Sequence, residues 1–146
     1  MKDDPSKGAK SRKPLSFRVR TETSDRLERH ASEIGETQTA LVERYVEEGL
    51  RMDDHPLISF RTGSGGRRPA LLATRLDVWQ VIETVRQNEN SVDATADYLG
   101  IPLEHVRACL RYYADFQDEI DDWTARARAI EEREDANWRR QQELLA

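Results

Sequence analysis

The chain has few of the residues that build covalent cross-links or metal centres. Its 146 residues include one cysteine, Cys109, which excludes an intramolecular disulfide and a cysteine-based zinc cluster. The three histidines, His30, His55 and His105, are too few and too scattered along the sequence to predict a metal site. We therefore expect a protein with no metal and no cofactor.

Long apolar runs are missing as well. No stretch approaches the roughly 20 residues that cross a bilayer, and residues 1–14 lack the apolar segment of a secretory signal. Hydrophobic residues make up 37% of the chain, charged residues make up 35%, and the mean hydropathy is -0.83. The composition predicts a cytoplasmic protein with modest cores whose stability depends on oligomerisation.

The net charge of -5 is unevenly distributed. Residues 1–20 carry seven basic and two acidic side chains, so 7 minus 2 gives +5. Residues 115–146 carry five arginines and ten acidic side chains, so 5 minus 10 gives -5. We expect the two ends of the chain to bind different partners.

A single short β-strand is predicted over residues 15–22, ahead of two helices. Its alternation separates two sets of side chains: apolar Leu15, Phe17 and Val19, and polar Ser16, Arg18 and Arg20. A lone strand leaves a row of backbone N–H and C=O groups unpaired, which is costly beside a hydrophobic core. The predicted partner is the same strand of a second copy, and the resulting antiparallel ribbon fits the major groove of DNA.

Two helices are predicted after this strand. Thr23-Ser24-Asp25 offers capping side chains for the first helix, and Gly35 is placed to end it. Thr37-Gln38-Thr39 marks the start of the second helix, whose apolar positions run to Leu50. A segment below about 60 residues rarely folds alone, so an intertwined homodimer is expected.

Residues 14–50 resemble the ribbon-helix-helix repressors of the Arc, MetJ and CopG superfamily. The resemblance implies that Ser16 and Arg18 read base edges, and it gives five other residues positions near the DNA backbone: Arg12, Lys13, Arg20, Thr37 and Thr39. Pro14 departs from the pattern, because at the first outward position it offers no hydrogen bond. The alternative is that the strand arginines merely solvate the exposed face of a small sheet.

A β-hairpin and three helices are predicted over residues 55–116. The strands are expected at 57–61 and 70–76 around a glycine-rich turn, which lacks the Gly-Lys-Ser/Thr ending of a phosphate loop. The helices start at Asp77, Ser91 and Pro102, and Gly100 ends the second of them. The last two form a predicted helix-turn-helix, a motif that serves packing as often as DNA reading.

Residues 68–79 are similar to the signature Lys-Pro-Val-Ile-Arg-Gly-Thr-Arg-Ile-Pro-Val-Trp of a bacterial, VapB-type antitoxin-associated family. The match is strongest at Pro69, Thr74-Arg75 and Val78-Trp79, and it departs where Leu72, Ala73 and Asp77 replace arginine, glycine and proline. The resemblance implies a PIN-like ribonuclease toxin as partner, with its acidic metal site blocked by the terminal segment of the antitoxin.

The tail, residues 117–146, continues the third helix in our prediction and becomes weakly ordered beyond Ile130 until it meets a partner. Exposed tryptophans and arginines suit an interface with an acidic partner. The candidate toxin-binding residues are Trp123, Arg126, Ile130, Arg133 and Trp138. Arg128, Arg139 and Arg140 are left open as alternatives, and the apolar stripe could instead pack on its own domain.

The sequence as a whole predicts a mainly α fold with short β elements. It divides into a basic leader at 1–13, a ribbon-helix-helix unit at 14–52, a hairpin with a helix-turn-helix at 55–116 and a helical tail at 117–146. No catalytic constellation is visible, and Cys109 and Trp79 are interpreted as core residues. The predicted function is an antitoxin that represses its own operon. The alternatives are a stand-alone regulator and a partitioning or nucleoid-associated adaptor.

Overall fold

The computed structural model describes residues 11–146, and most of them are helical. The helices are α1 Thr21–Ile34, α2 Gln38–Asp54, α3 Val78–Gln87, α4 Val92–Leu99, α5 Leu103–Asp115 and α6 Gln117–Leu145. Strands β1 Ile58–Gly63 and β2 Gly66–Leu71 form a two-stranded antiparallel sheet. The predicted class, mainly α with a short β-hairpin, is therefore confirmed.

The chain separates into two compact units, with the boundary after Arg44 in the middle of α2. We call them the N-terminal unit, up to Arg44, and the C-terminal unit, residues 45–146. Glu48, in the second half of α2, accepts hydrogen bonds from the Arg67 Nε of β2 at 2.9 and 3.0 Å. This contact links the second half of α2 to the hairpin, and the C-terminal unit also contains the tail residues 117–146. Most of the predicted leader lies outside the described residues.

The N-terminal unit differs from the prediction where α1 begins. Residues 11–20 have no regular secondary structure in the single chain, and α1 starts at Thr21, inside the strand predicted over 15–22. Arg20 keeps an extended backbone, with φ -60° and ψ 148°, and its carbonyl accepts the Ser24 N–H at 3.0 Å. Thr23, Ser24 and Asp25 are therefore helical, and their predicted capping role is wrong.

The other predicted helix ends in this unit are confirmed. Gly35 has φ 71°, and the Glu36 N–H bonds to the Ala31 carbonyl at 3.0 Å, so the chain leaves α1 through a left-handed residue. The Thr37 hydroxyl accepts the Ala40 N–H at 3.1 Å and caps α2. The left-handed Gly35 and the Thr37 cap therefore determine that only residues 35–37 separate α1 from α2.

The hairpin forms with a different second strand from the one predicted. Ile58 pairs with Leu71 and Gly63 with Gly66, so β2 begins four residues before the expected start at Ala70. The turn occupies only Ser64 and Gly65, and the glycine-rich stretch extends into both strands. Counting all its glycines as turn residues caused the error.

The chain reverses direction again between β2 and α3. The Leu71 N–H bonds to the Leu76 carbonyl at 2.9 Å, while the Thr74 hydroxyl donates to the Leu71 carbonyl at 2.8 Å. Ala73, within this turn, has φ 59°, a left-handed conformation that costs a residue with a Cβ about 1 kcal/mol relative to glycine. The signature that residues 68–79 resemble has glycine at this position, and glycine adopts the left-handed conformation without this cost.

The core of the C-terminal unit lies between the hairpin and α3, α5 and α6. Its most deeply buried apolar residues are Ile58, Leu71, Val78, Val81, Ile82, Val106, Cys109, Tyr112 and Ile120. Burial raises the pKa of the Cys109 thiol to about 12, so the group is a neutral packing element. Trp79 is half-buried against this cluster, and both predicted core assignments are confirmed.

The helix boundaries follow the local signals until residue 116. The Ser91 hydroxyl accepts the Ala94 N–H at 3.1 Å, and Gly100 ends α4 with φ 65°, as predicted. Pro102 is the residue just before α5. The prediction that this third helix continues into the tail is wrong, because Phe116, with φ -130° and ψ 45°, separates α5 from α6.

The interruption at Phe116 allows its ring to pack against the ring of Tyr112, with centroids 4.6 Å apart. Within residues 11–146, no helix is both long and apolar enough to cross a membrane.

Candidate nucleic-acid interface and partner-binding helix

The extended segment before α1 carries the predicted DNA-reading residues. Its apolar set is largely uncovered in the single chain: Leu15 is 75% exposed, Phe17 55% and Val19 50%. The intervening Ser16, Arg18 and Arg20 are exposed as well. Three large apolar side chains at alternate positions are thus left in water within a 10-residue stretch, which calls for a covering surface.

The basic residues of this segment are nearly free of protein partners. Arg12 forms an ion pair with Glu43 at 3.5 Å, but both side chains are more than half exposed, so the pair is weak. Among residues 11–146, Lys13, Arg18 and Arg20 have no salt bridge. Their charge is available to an external anion.

Thr37 and Thr39 lie where α2 begins, as predicted. The Thr37 hydroxyl is occupied by its cap hydrogen bond, whereas Thr39 is exposed on the first turn. The first turn of α2 contains no acidic residue. The first turn therefore adds no charge of the same sign as a phosphate to the positive end of the helix, and Glu36, which directly precedes Thr37, forms an ion pair with Arg44 at 3.5 Å.

The first half of α6 packs against its own unit. Ile120 and Thr124 are buried, and a side chain placed on Gly65 would meet the Trp123 ring at 3.0 Å. The Arg126 guanidinium lies 4.5 Å from the centroid of the Trp123 ring. For Trp123, the alternative in which the stripe packs on its own domain is confirmed. The ring lies against the hairpin turn at Gly65, where a side chain would have little room.

The second half of α6 projects from the unit. All residues from 131 to 146 are exposed, and Ile130 and Trp138 are 50% and 61% exposed. The segment is helical as far as Leu145, not weakly ordered as predicted, and it is rich in Glu, Arg, Gln and Leu, which favour helix. The predicted toxin-binding residues are thus divided: Trp123 and Arg126 lie on the domain, and Ile130, Arg133 and Trp138 lie on the projecting half.

A cluster of two arginines around one carboxylate joins the hairpin to α3. Asp77 is 5% exposed, and its Oδ1 accepts hydrogen bonds from Arg61 Nε at 2.9 Å and Nη2 at 2.6 Å. Its Oδ2 accepts Arg68 Nε at 2.6 Å and Trp79 Nε1 at 3.3 Å. Arg61 and Arg68 are directly paired across β1 and β2, so one carboxylate holds both strands to the start of α3.

A second cluster fastens the end of α2 to α5 and α6. Arg51 donates to the Tyr112 hydroxyl at 2.7 Å and to the Glu119 carboxylate, and it lies 3.9 Å from the Phe116 ring centroid. Burial opposes the charge on Arg51, but hydrogen bonds to Glu119, Glu47 and Tyr112 outweigh it and raise the Arg51 pKa. Burial, together with the nearby Glu119, raises the pKa of Tyr112. Both groups keep their ordinary protonation states.

Neither cluster was predicted from the sequence. The one signal for Asp77 was its departure from the family proline, directly after a hairpin with arginines in both strands. The Arg51 cluster joins residues 61 and 68 positions apart, which no local pattern relates. Both are better explained as structural ties than as catalytic groups, because each polar atom named is paired within the unit.

Residues 58–113 match a family model described as a protein of unknown function, DUF433. The match covers about two-fifths of the chain and spans the hairpin and the helices up to α5. No curated protein and no solved structure matches the chain.

Proposed function

We propose that the protein is a homodimeric antitoxin that represses its own operon. In this proposal the segment before α1 pairs with its copy in a second chain and binds operator DNA. The projecting half of α6 binds a PIN-like ribonuclease toxin. The observation that carries the proposal is the alternation of uncovered apolar and basic side chains from Leu15 to Arg20.

The alternation supports a ribbon-helix-helix arrangement in two ways. Pairing two extended segments would satisfy backbone groups that lack a ladder partner in residues 11–20 of the single chain. It would also turn Leu15, Phe17 and Val19 towards a shared core and leave Ser16 and Arg18 outward. Arginine and serine on a two-stranded ribbon are suited to base edges in the major groove.

The toxin-binding part of the proposal is supported by α6. Residues 131–145 form an exposed helical segment with a tryptophan at its centre, and these side chains make no stabilising apolar contacts while they remain in water. Aromatic and arginine side chains are the groups that contribute most to protein interfaces. The resemblance to antitoxin-associated proteins around residues 68–79 gives the proposal its choice of partner.

A stand-alone transcriptional regulator is the second candidate. It is favoured by the contact of Trp123 with the hairpin turn, because this makes one predicted toxin-binding group less accessible to a partner. Arg128, one of the arginines left open as alternatives, pairs with Glu83 at 2.8 Å. In that case α6 would mainly stabilise the C-terminal unit.

Arg18→Ala is expected to weaken binding to DNA from the region upstream of the coding sequence by about 1–3 kcal/mol. The reason is the loss of a bidentate contact to a base edge, and folding should be unaffected because the side chain is exposed. Fluorescence anisotropy titrations at two salt concentrations measure the effect. Arg29→Ala, an exposed arginine on α1, is the matched control and should bind as wild type does.

The proposed antitoxin function is tested by removing residues 131–146, which leaves the buried Ile120 and Thr124 in place. The truncated chain should keep its DNA affinity and its thermal midpoint. It should fail to restore growth when the ribonuclease from the adjacent reading frame is co-expressed, whereas the full chain restores growth. Growth rescue by the truncated chain would place the toxin contact outside residues 131–146, and failure of the full chain to restore growth would favour the stand-alone regulator.

A further inference from the structure

The projecting half of α6 extends a face that is already used inside the C-terminal unit. Ile120 is buried on this face, and the same helical stripe continues through Ile130, Trp138 and Leu145, which are at least half exposed. Glu134 lies in the stripe, four residues from Ile130 and four from Trp138. Gln141, three residues after Trp138 and four before Leu145, lies in the stripe as well. The helix therefore presents an open apolar face interrupted by one carboxylate and one amide.

The five tail arginines do not share one environment. Arg126 stacks on Trp123, and Arg128 pairs with Glu83, so both are engaged within the unit. Arg133 and Arg140, seven residues apart, border one edge of the stripe. The remaining arginine, Arg139, lies on the other side of the helix, four residues from both Asp135 and Glu143.

The neighbours of Arg133 and Arg140 define that edge. Arg133 is three residues after Ile130, and Arg140 is four residues before Leu144, so each is adjacent to an exposed apolar side chain. Arg140 also donates to the Asn137 side-chain oxygen, which lies between them on the same edge. The edge combines two guanidinium groups with an apolar border.

A second copy of the chain fits this face poorly in either orientation. In a parallel pair, Glu134 would meet Glu134 of the other copy inside the interface. In an antiparallel pair, the edge with Arg133 and Arg140 would meet itself. Like charges oppose each other in both arrangements, so the complementary surface belongs to a different protein.

We propose that Arg133 and Arg140, and not Arg139, are the arginines of α6 that a partner protein recognises. The partner presents an apolar groove for Ile130, Trp138 and Leu145, with carboxylates along one edge that form charge-assisted bonds to the two guanidinium groups. The inference rests on the proposed function, because the same helix is its toxin-binding element.

Three charge reversals, Arg133→Glu, Arg140→Glu and Arg139→Glu, test the assignment, since each changes the net charge equally. The probe is a catalytically inactive form of the protein encoded by the adjacent reading frame, and calorimetry on full-length chains gives the affinity. We expect about tenfold or greater weakening for Arg133→Glu and Arg140→Glu, and less than about threefold for Arg139→Glu. Trp138→Ala should weaken binding by about 30-fold or more.

The outcomes separate the inference from the function it rests on. If the wild-type chain does not bind the probe, the proposed antitoxin function is overturned together with the inference. Equal effects of all three reversals on a wild-type interaction would overturn only the assignment to one edge. If truncation after Ile130 lowers the number of chains per particle in sedimentation, a second copy occupies this face and the inference is wrong.

Discussion

Replacing Asp77 by alanine is expected to destabilise the C-terminal unit by about 3 kcal/mol. The substitution removes the carboxylate that accepts hydrogen bonds from Arg61 and Arg68 and leaves two partly buried guanidinium groups facing each other across the hairpin. The indole N–H of Trp79 loses its acceptor as well. Chemical denaturation followed by far-UV circular dichroism gives the free energy of unfolding.

The matched control for this experiment is Asp97→Ala, which removes an exposed carboxylate on α4. Its expected effect is within about 0.5 kcal/mol, since exposed charges contribute little. Equal midpoints for Asp77→Ala and the wild-type protein would show that the cluster does not hold the hairpin to α3. A tie between the strands and α3 would then have to come from apolar packing alone.

If the proposed homodimer forms through the segment before α1, replacing Phe17 by lysine is expected to dissociate it and to unfold the N-terminal unit. Burial of a phenylalanine contributes about 2–3 kcal/mol, and a symmetric dimer loses the contribution twice, so association should weaken by about 4–6 kcal/mol. Loss of helical signal from α1, with the melting transition of the C-terminal unit retained, identifies the change. Size-exclusion chromatography with light scattering gives the mass.

Ser16→Lys is the control, because it adds the same charge at the adjacent, outward position. It should leave the dimer intact and strengthen non-specific DNA binding. A dimeric Phe17→Lys variant with wild-type stability would mean that Phe17 lies outside any interface.

Local signals in the sequence predicted the local structure well. Gly35 and Gly100 end helices through left-handed backbones, and Thr37 and Ser91 cap the helices that follow them. Each of these features depends on a few neighbouring residues. The second strand was placed wrongly because every glycine of the turn region was counted as turn, although Gly63 pairs with Gly66. The break at Phe116 was missed because its ring packs against Arg51 and His55, which lie far earlier in the chain.

The candidate sites also divide into features that depend on neighbouring residues and features that depend on the fold. The alternation from Leu15 to Arg20 is a local pattern whose apolar side chains are exposed in the single chain, and its cover by a second copy stays a prediction. The roles of the tail arginines could not be separated from sequence, because Arg126 and Arg128 are engaged by Trp123 and Glu83 through the fold. The carboxylate of Asp77 was likewise recognisable only once the hairpin register brought two arginines to it.

Sedimentation equilibrium of the wild-type chain at micromolar concentration tests the central claim most directly. Pairing of the segment before α1 predicts a mass of twice 16.9 kDa and cooperative unfolding whose midpoint rises with protein concentration. A fully folded species of 16.9 kDa that persists across this range would contradict the account.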